Sequence, residues 1–290
     1  MTNILTIDVE DYFHPTEVQR TVDPARWDSF PSRVEEATAI VLDLLDAAGV
    51  RATFFILGWV AARRPALVRR IAEAGHELGC HSFAHALVFS LTPQQFRRDT
   101  EMAVDAIAQA SGIRPRAYRA PSFSITARSF WALEVLAECG IQTDSSIYPV
   151  HHDRYGVPDH PFFPHRLQTP SGTILEVPPA AVPLHAGRNA PAGGGAYLRL
   201  LPYSYVASSI RLLNHVHRAP ACLYVHPWEF DSAQPRLASG LVARLRTYLG
   251  LRTMGPKLAR LMSEFPFGPL GAVCPPQGAY PLLPARAGRP

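Results

Sequence analysis

The chain has 290 residues, of which 47% are hydrophobic and 18% charged, and its formal net charge is +4. This composition supplies a packed core and excludes a disordered chain. The longest apolar run is far shorter than the roughly 18 residues that a membrane span needs, and the basic residues are too scattered for a nucleic-acid-binding surface.

The start of the chain and its cysteines indicate the compartment. Residues 2–8 read as a strand that ends in an acid, not as a basic segment leading into an apolar one, which argues against a secretory signal. The four cysteines form no Cys-x-x-Cys pair, which disfavours a zinc ribbon or a redox dithiol. We therefore expect a cytoplasmic protein with reduced thiols and no transmembrane segment.

Strands alternate with helices, most regularly in the first half of the chain. Two capping boxes, Ser32 to Glu35 and Thr92 to Gln95, mark helix starts. The predicted helices cover residues 33–48, 65–75, 93–110, 126–140, 202–217 and 236–249. The predicted strands lie near residues 4–8, 52–57, 77–81, 117–119, 141–144, 173–177 and 221–226. We expect loops in the Pro-rich segments 145–172 and 178–201, with glycines 193–195 as a flexible loop over the site, and a surface strap from residue 265 onward.

Alternating strands and helices indicate parallel βα units, and seven of them suggest a closed or nearly closed barrel. In such barrels the chemistry gathers at the carboxyl ends of the strands. Five polar residues fall at or next to a predicted strand end: Asp8, His81, Arg119, Asp144 and His226. The pattern therefore predicts one rim that carries two acids, two histidines and an arginine.

Two histidines and a group of carboxylates form a candidate metal site. His81 and His85 are four residues apart, and Asp8, Glu10 and Asp11 end the first strand, with Asp8 and Glu10 on one side of it. A His-x3-His pair is weak by itself, but an acid from a second strand end would complete two imidazoles and a carboxylate, with positions left for water. This donor set suits zinc, and also cobalt or iron.

Other strand ends offer groups for acid–base chemistry. Asp144 could hold His226 as an imidazolium, and such a pair makes a general acid. Arg119 can fix a carboxylate in one orientation. Pro121 stiffens its turn, so that the following backbone N–H groups could point at a developing oxyanion. Trp228 offers an apolar face to a sugar ring.

Further histidines lie in the Pro-rich segments, and we expect each to be a loop or surface residue: His151, His152, His160, His165 and His185. No Gly-x-Ser-x-Gly motif is present. Its absence disfavours a serine hydrolase.

Four ordered motifs resemble those of a known family. They are Thr6-Ile-Asp8, His81-Ser-Phe-Ala-His85, Arg119-Ala-Pro121 and Leu223-Tyr-Val-His226, and together they look like the motifs of polysaccharide deacetylases with the NodB homology fold (carbohydrate esterase family 4). Four segments look like the exosortase-associated branch that is encoded with exopolysaccharide biosynthesis: the Asp-Val-Glu-Asp-Tyr-Phe start at residues 8–13, Asp144-Ser-Ser-Ile, residues 193–202 and His226-Pro-Trp-Glu.

The resemblance implies an α/β fold, namely a distorted (β/α)7 barrel in residues 1–250 as a single domain with Pro-rich loops. Residues 251–290 would form a Pro/Gly-rich C-terminal extension packed on that barrel. The family's activity implies a divalent metal, zinc in the first place, and hydrolysis of the N-acetyl group of an amino sugar with release of acetate.

The resemblance also implies roles for individual residues. Asp8 would be the general base, His226 the general acid, Arg119 the partner of Asp8, and His81 and His85 metal ligands. Substrate contacts are expected from Pro121, Ser122, Phe123, Tyr197 and Trp228.

The first motif departs from the family pattern. Many members have two adjacent aspartates, the second of them a metal ligand, whereas Val9 follows Asp8 here. The acidic ligand must then be Glu10 or Asp11. We favour Glu10, because it shares a face of the strand with Asp8.

Two alternative functions stay open at this point: a metal-dependent hydrolase of small cyclic amides on the same fold, and a non-catalytic carbohydrate-binding barrel. The expected partner is an amino-sugar glycan or its lipid-linked oligosaccharide precursor, without nucleic acid. Because no secretory signal is predicted, we expect this precursor to be met in the cytoplasm, at the inner membrane face.

Overall fold

A sheet of ten strands runs through the computed structural model, which describes residues 1–19, 21–184 and 188–285. The strands are β1 (Asn3–Val9), β2 (Thr53–Ile56), β3 (Glu77–Cys80), β4 (Ala117–Tyr118), β5 (Thr143–Asp144), β6 (His165–Thr169), β7 (Gly172–Glu176), β8 (Ala181–Pro183), β9 (Asn189–Pro191), β10 (Cys222–Val225), β11 (Phe267–Gly268) and β12 (Leu282–Pro284). Of these, β8 and β9 form a separate antiparallel pair.

Helices cover the strands and close the core around them. They are α1 (Thr16–Gln19), α2 (Val34–Ala47), α3 (Gly58–Arg63), α4 (Pro65–Glu73), α5 (Pro93–Ser111), α6 (Trp131–Glu138), α7 (Gly195–Leu200), α8 (Tyr203–His215), α9 (Leu241–Tyr248), α10 (Leu251–Glu264) and α11 (Leu270–Val273). Among the helices in the described part of the chain, none is both long enough and apolar enough to cross a bilayer.

Seven strands run parallel to their neighbours in the order β10, β1, β2, β3, β4, β5, β7. They are the seven strands that the sequence predicts, so the α/β class is confirmed. No ladder joins the first and last of them within the described residues; instead β6 pairs with β7 and β12 pairs with β6. The barrel is therefore open on this side, where the sequence suggested closure or near closure.

The two predicted capping boxes have different outcomes. Thr92 and Gln95 cap α5 reciprocally, as predicted. The box predicted from Ser32 to Glu35 is wrong, because the cap of α2 comes from another element: Asp11 accepts hydrogen bonds from the N–H groups of Arg33 and Val34. A carboxylate at a helix N-terminus satisfies free N–H groups and opposes the positive end of the helix dipole.

The Pro-rich segments contain more regular structure than expected. Segment 145–172 includes β6, and segment 178–201 includes the β8–β9 pair and α7. The glycines at 193–195 are buried, which contradicts the predicted flexible loop. Gly194 has φ +123°, and a Cβ built there would lie 2.2 Å from the ring of Tyr224. Glycine is needed here for close approach to an aromatic ring, not for mobility.

The predicted C-terminal extension begins with a helix. In α10 the side chains of Met254, Leu258 and Leu261 are fully buried in the core, and further on β11 pairs with β1 and β12 pairs with β6. Amphipathic spacing of these apolar residues explains the helix. The domain boundary after residue 250 stays a prediction.

The adjacent ends of β5 and β7 bring two acids together inside the protein. Asp144 and Glu176 are neighbours in the ladder, and both side chains are fully buried. Ser146 donates to Oδ1 of Asp144 at 2.5 Å, and the N–H of Ile147 donates to Oε1 of Glu176 at 3.1 Å. Burial raises the pKa of Asp144 to about 6. Burial also raises the pKa of Glu176 well above its usual value, and the negative charge of Asp144 raises it further. These pKa shifts favour a pair that shares one proton at neutral pH.

This pair predicts a pH dependence of stability. A raised pKa in the folded state favours folding below the ordinary carboxyl pKa, and that contribution disappears as pH rises through the folded value of about 6 for Asp144. Glu176→Gln supplies a permanent N–H donor, so we expect its free energy of unfolding to exceed that of the wild type by about 2 kcal/mol at pH 8 and to match it near pH 4. Urea unfolding at several pH values measures this, with Glu35→Gln on the exposed face of α2 as control. Parallel pH profiles for Glu176→Gln and the wild type would contradict the shared proton.

Candidate active site

A cleft of about 290 Å³ opens where β1, β3 and β10 end. It contains Asp8, His81 and His226, three of the five residues that the sequence placed at strand ends, and its walls include residues of α7 and α9. A larger cavity of about 710 Å³ lies near the amino ends of β1 and β10, but its lining has no carboxylate. The chemistry therefore belongs to the smaller cleft.

Glu10, His81 and His85 converge on one point in this cleft. Oε1 of Glu10 lies 3.0 Å from Nε2 of His81 and 2.9 Å from Nε2 of His85. All three side chains are buried, and their candidate ligand atoms lie within 4.8 Å of one another. Burial would raise the pKa of Glu10, but the charges of His85 and His226 and the hydrogen bonds of both clustered histidines hold that pKa well below its usual value.

The surroundings of His81 show that this cluster suits a cation. Nδ1 of His81 lies 2.8 Å from the backbone oxygen of Arg119, which can only accept, so Nδ1 is the donor in this hydrogen bond. Nε2 then faces the carboxylate of Glu10 and has either a proton or a metal ion to direct at it. Two acceptors at 3.0 Å repel each other unless a proton or a metal ion lies between them. A backbone carbonyl that fixes the outer ring nitrogen is the usual arrangement around a metal-binding histidine.

Asp11 is not part of the cluster, although the sequence left it open as a ligand. Its carboxylate accepts from Ser32 Oγ at 2.7 Å, from its neighbour Tyr12 at 2.9 Å, and from the N–H groups that begin α2. These bonds direct Asp11 away from His81 and His85. Burial nevertheless raises its pKa above the usual value. The structure thus favours Glu10 as the acidic member of the site.

Asp8 is held by a buried arginine. Oδ1 of Asp8 accepts from Arg119 at 2.9 Å, and the same guanidinium donates to Thr6 Oγ1 at 2.5 Å and to the oxygens of Ser145 at 3.1 and 2.8 Å. Arg119 is completely buried, and its guanidinium carbon lies 4.4 Å from the centre of the Phe55 ring. The second carboxylate oxygen, Oδ2, stays on the cleft side, 3.9 Å from Nε2 of His226.

His226 is oriented by Glu229, not by Asp144 as the sequence suggested. Nδ1 of His226 lies 2.9 Å from Oε2 of Glu229, whose other oxygen accepts from Arg199 at 2.6 Å. Asp144 instead pairs with Glu176. The physical reason is the open sheet: β5 is separated from β10 by four intervening strands along the ladder.

The charge around His226 keeps it protonated. Burial would lower the pKa of its imidazole, but the carboxylates of Glu10 and Glu229 outweigh burial, and the pKa rises to about 9. At neutral pH the ring therefore carries a proton on Nε2, directed toward the cleft and Asp8. This is the state that a general acid needs before reaction.

Four of the five predicted substrate-contact residues line the cleft: Ser122, Phe123, Tyr197 and Trp228. The fifth, Pro121, lies behind them, and its turn is strained, since Ser122 and Phe123 have φ of 49° and 52°. The N–H groups of Phe123 and Ser124 donate within the turn, to Ala120 and Pro121. These two N–H groups are therefore not free to bind an oxyanion. Of the N–H groups that follow Pro121 in this turn, the one of Ser122 remains for the predicted oxyanion role.

The histidines of the Pro-rich segments are less exposed than expected. His165 is fully buried in β6, with its Nε2 2.9 Å from Nε2 of His160. His152 lines the cleft and stacks on Tyr155 at 3.8 Å between ring centres. His151 is exposed, as predicted. His185 lies outside the described residues.

Sequence reasoning missed the residues that hold the histidines of the site in place. Glu229 and Arg199 hold His226, and Gln19 lies 3.0 Å from the outer ring nitrogen of His85. Of these three residues, Glu229 could have been predicted from the sequence. It follows His226 by three residues across a proline, which is the spacing of one tight helical turn. Arg199 and Gln19 reach the site from distant segments and carry no local pattern.

Comparison with known proteins identifies two family segments in this chain. Residues 22–143 match the polysaccharide deacetylase family. Residues 145–274 match a domain of unknown function, DUF3473.

Curated relatives align with about a third of the chain. A peptidoglycan-N-acetylglucosamine deacetylase from Bacillus cereus is 32% identical over 100 residues, which are 34% of this chain and 36% of that protein. A chitooligosaccharide deacetylase from Bradyrhizobium sp. is 35% identical over 101 residues, which are 34% of this chain and 43% of that protein. The chain thus aligns with less than half the length of either relative.

Solved structures share the fold over nearly the whole chain. A polysaccharide deacetylase-like protein from Mycobacterium smegmatis has a TM-score of 0.65 at 21% identity and covers 99% of this chain and 93% of its own. A family 4 carbohydrate esterase from Streptomyces lividans, in complex with acetate, has a TM-score of 0.51 at 18% identity and covers 97% of both chains. Residues 22–143 therefore match the polysaccharide deacetylase family, and the chain shares its fold with a family 4 carbohydrate esterase.

Proposed function

We propose that the protein is a metal-dependent hydrolase that removes the N-acetyl group of an amino sugar, in a polysaccharide or its lipid-linked precursor, and releases acetate. One observation carries this proposal: the carboxylate of Asp8 and the imidazolium of His226 face each other at 3.9 Å, beside the cluster of Glu10, His81 and His85. A base, an acid and a cation-binding cluster in one cleft are the groups that amide hydrolysis requires. The resemblance of the second half to the exosortase-associated branch favours exopolysaccharide biosynthesis as the setting.

The metal would be held by Glu10, His81 and His85. Two imidazoles and one carboxylate suit zinc, with cobalt or iron as alternatives, and leave positions free for substrate or water. When bound, such an ion polarises the amide carbonyl and lowers the pKa of a coordinated water. The facing Nε2 of His81 and carboxylate of Glu10 are the structural reason to expect a cation here.

Asp8 acts as the general base in this proposal. Its Oδ1 is engaged by Arg119, which fixes the carboxylate plane and leaves Oδ2 free to take a proton from the attacking water. The guanidinium cannot give up its own proton to the carboxylate, because its pKa is far above the working range. Arg119 therefore positions Asp8 without taking part in proton transfer.

His226 supplies the proton for the leaving amine. An amine anion is a very poor leaving group, so nitrogen must be protonated as the C–N bond breaks. Nδ1 is engaged by Glu229, so Nε2 is the nitrogen that faces substrate. The indole of Trp228 stacks on the imidazole at 26° between the ring planes, with ring centres 5.2 Å apart, and so covers one face of the ring.

The cleft wall suits a sugar. Tyr197, Trp228, Tyr224 and Phe123 contribute aromatic surface next to the reacting groups, and aromatic faces pack well against the apolar face of a pyranose ring. A small cyclic amide would leave most of this surface without contact. Acetate release from N-acetylglucosamine oligomers, compared with hydrolysis of small cyclic amides, tests the substrate class.

Metal content provides the first test. We expect about one zinc, cobalt or iron per chain in the wild type and loss of that metal in Glu10→Ala and in His81→Ala/His85→Ala. Asp11→Asn should keep the metal, because Asp11 caps α2 and lies outside the cluster. Elemental analysis of the purified proteins, before and after incubation with zinc, measures this. Retention in Glu10→Ala with loss in Asp11→Asn would reverse the assignment.

Replacement of the base should abolish turnover without unfolding the protein. Asp8→Asn keeps a hydrogen bond to Arg119 but cannot accept a proton, so we expect acetate release to fall by about a hundredfold or more. Thermal unfolding and metal content of the same variant separate this effect from misfolding. Sugar binding by a metal-loaded wild type that releases no acetate would favour the non-catalytic alternative.

Glu229 should set the alkaline limit of activity. Its carboxylate raises the pKa of His226, so in Glu229→Gln the pKa falls and the alkaline limb of the rate profile moves to lower pH, by about one unit. Acetate release as a function of pH measures the shift, with Glu35→Gln as control. An unmoved limb together with a lowered stability would show that Glu229 serves only to pair Arg199.

A further inference from the structure

Helix α9 presents an unusually apolar face to solvent. Leu241 is 74% exposed, Val242 62%, Leu245 46% and Leu249, at the end of the helix, 53%. With 3.6 residues per turn, these four positions fall on one side of the helix axis. Single exposed apolar residues are common, but a contiguous group of large ones marks a surface that binds something.

This face borders the candidate active site. Arg246 and Thr247, from the same helix, line the cleft, and so does Leu200, which is 43% exposed. The helix is fixed in place by Arg199, whose guanidinium donates to the backbone oxygens of Arg246 at 2.6 Å and Leu249 at 2.5 Å. Whatever covers the apolar face is therefore brought to the mouth of the cleft.

The segment that carries the face is basic, and one acid of another segment, Asp153, lies 3.8 Å from Arg246. Residues 232–263 contain six basic side chains and no acidic one; the basic residues are Arg236, Arg244, Arg246, Arg252, Lys257 and Arg260. Arg236, Arg244 and Arg252 are exposed. A second copy of this chain would bring like charges together, which disfavours a symmetric dimer here. Apolar side chains flanked by arginine are instead the pattern that binds an anionic lipid surface.

We propose that α9 and its flanking arginines seat the protein on an anionic lipid bilayer, with leucine side chains in the headgroup region and the cleft open toward the membrane. This deepens the proposed function and rests on it, since it selects a lipid-linked oligosaccharide over a free polymer as substrate. The arginines meet lipid phosphates, and the cleft next to them receives the sugar that the lipid carries.

Vesicle binding tests the surface directly. The wild type should bind vesicles of phosphatidylglycerol and phosphatidylcholine, and bind vesicles of phosphatidylcholine alone much more weakly, as measured by flotation. Leu241→Gln/Leu245→Gln should weaken binding by about tenfold or more. Arg244→Gln/Arg252→Gln should weaken it by about fivefold per arginine at low salt, with a smaller effect at high salt.

A matched control removes exposed apolar residues elsewhere. Ile113→Gln/Val216→Gln changes side chains that are 47% and 66% exposed and precede β4 and β10, at the opposite end of the sheet from the cleft. We expect this variant to bind vesicles as the wild type does. Acetate release from a soluble N-acetylglucosamine oligomer should be unchanged in Leu241→Gln/Leu245→Gln and in the control.

The outcomes separate this inference from the proposed function. A wild type that releases acetate but does not bind anionic vesicles overturns the membrane surface and leaves the deacetylase proposal standing. Vesicle binding that depends on Leu241 and Leu245, without acetate release from any substrate, supports the surface and overturns the function. A wild-type dimer in solution that Leu241→Gln/Leu245→Gln converts to a monomer overturns the inference, because a second copy would then cover the face.

Discussion

The site depends on one fully buried guanidinium. Arg119 has no contact with solvent, and burying such a charge is costly unless it is paired and hydrogen-bonded. Its donors reach Asp8 and Thr6 on β1 and Ser145 after β5, while its own backbone oxygen fixes His81. The orientation of the proposed base, Asp8, and that of the His81 ring in the candidate metal cluster are thus set by the same residue. Any change that leaves Arg119 unpaired therefore affects both halves of the chemistry.

Much of the fold could be predicted because the parallel strands are short apolar runs with polar residues at their ends. This pattern located all seven parallel strands and the residues of the cleft, including Asp8, His81 and His226. The Pro-rich half was harder to interpret, since β8 and β9 have three residues each and β6 has Leu167 as its one apolar residue. The helix α10 was missed because a Gly-Pro pair at residues 255–256 interrupts its apolar spacing.

The partners of the site residues were predicted less well than the residues themselves. Strand alternation places Glu10 on the same side as Asp8, and the structure has it facing the histidines. The partner of His226 depends on how far the sheet closes, and no local sequence pattern encodes that. Because the sheet is open, Asp144 lies beside Glu176, and His226 is bound by Glu229 instead. Side chains that act through a neighbour, such as Arg199, depend on packing between segments that are distant in sequence.

The pairing of β1 with β10 has a consequence for biosynthesis. Residues 4–7 pair with residues 222–225, so more than two hundred residues separate the two strands along the chain. One edge of β1 can pair with β2 early in translation, but its other edge stays open until the last quarter of the chain has emerged from the ribosome. Pairings of such long range form slowly and leave a strand edge exposed to other chains in the meantime. The proposed base on β1 and the proposed acid after β10 therefore meet only after residue 226 has been made, and a chain truncated before that residue has the candidate metal cluster without its proposed proton donor.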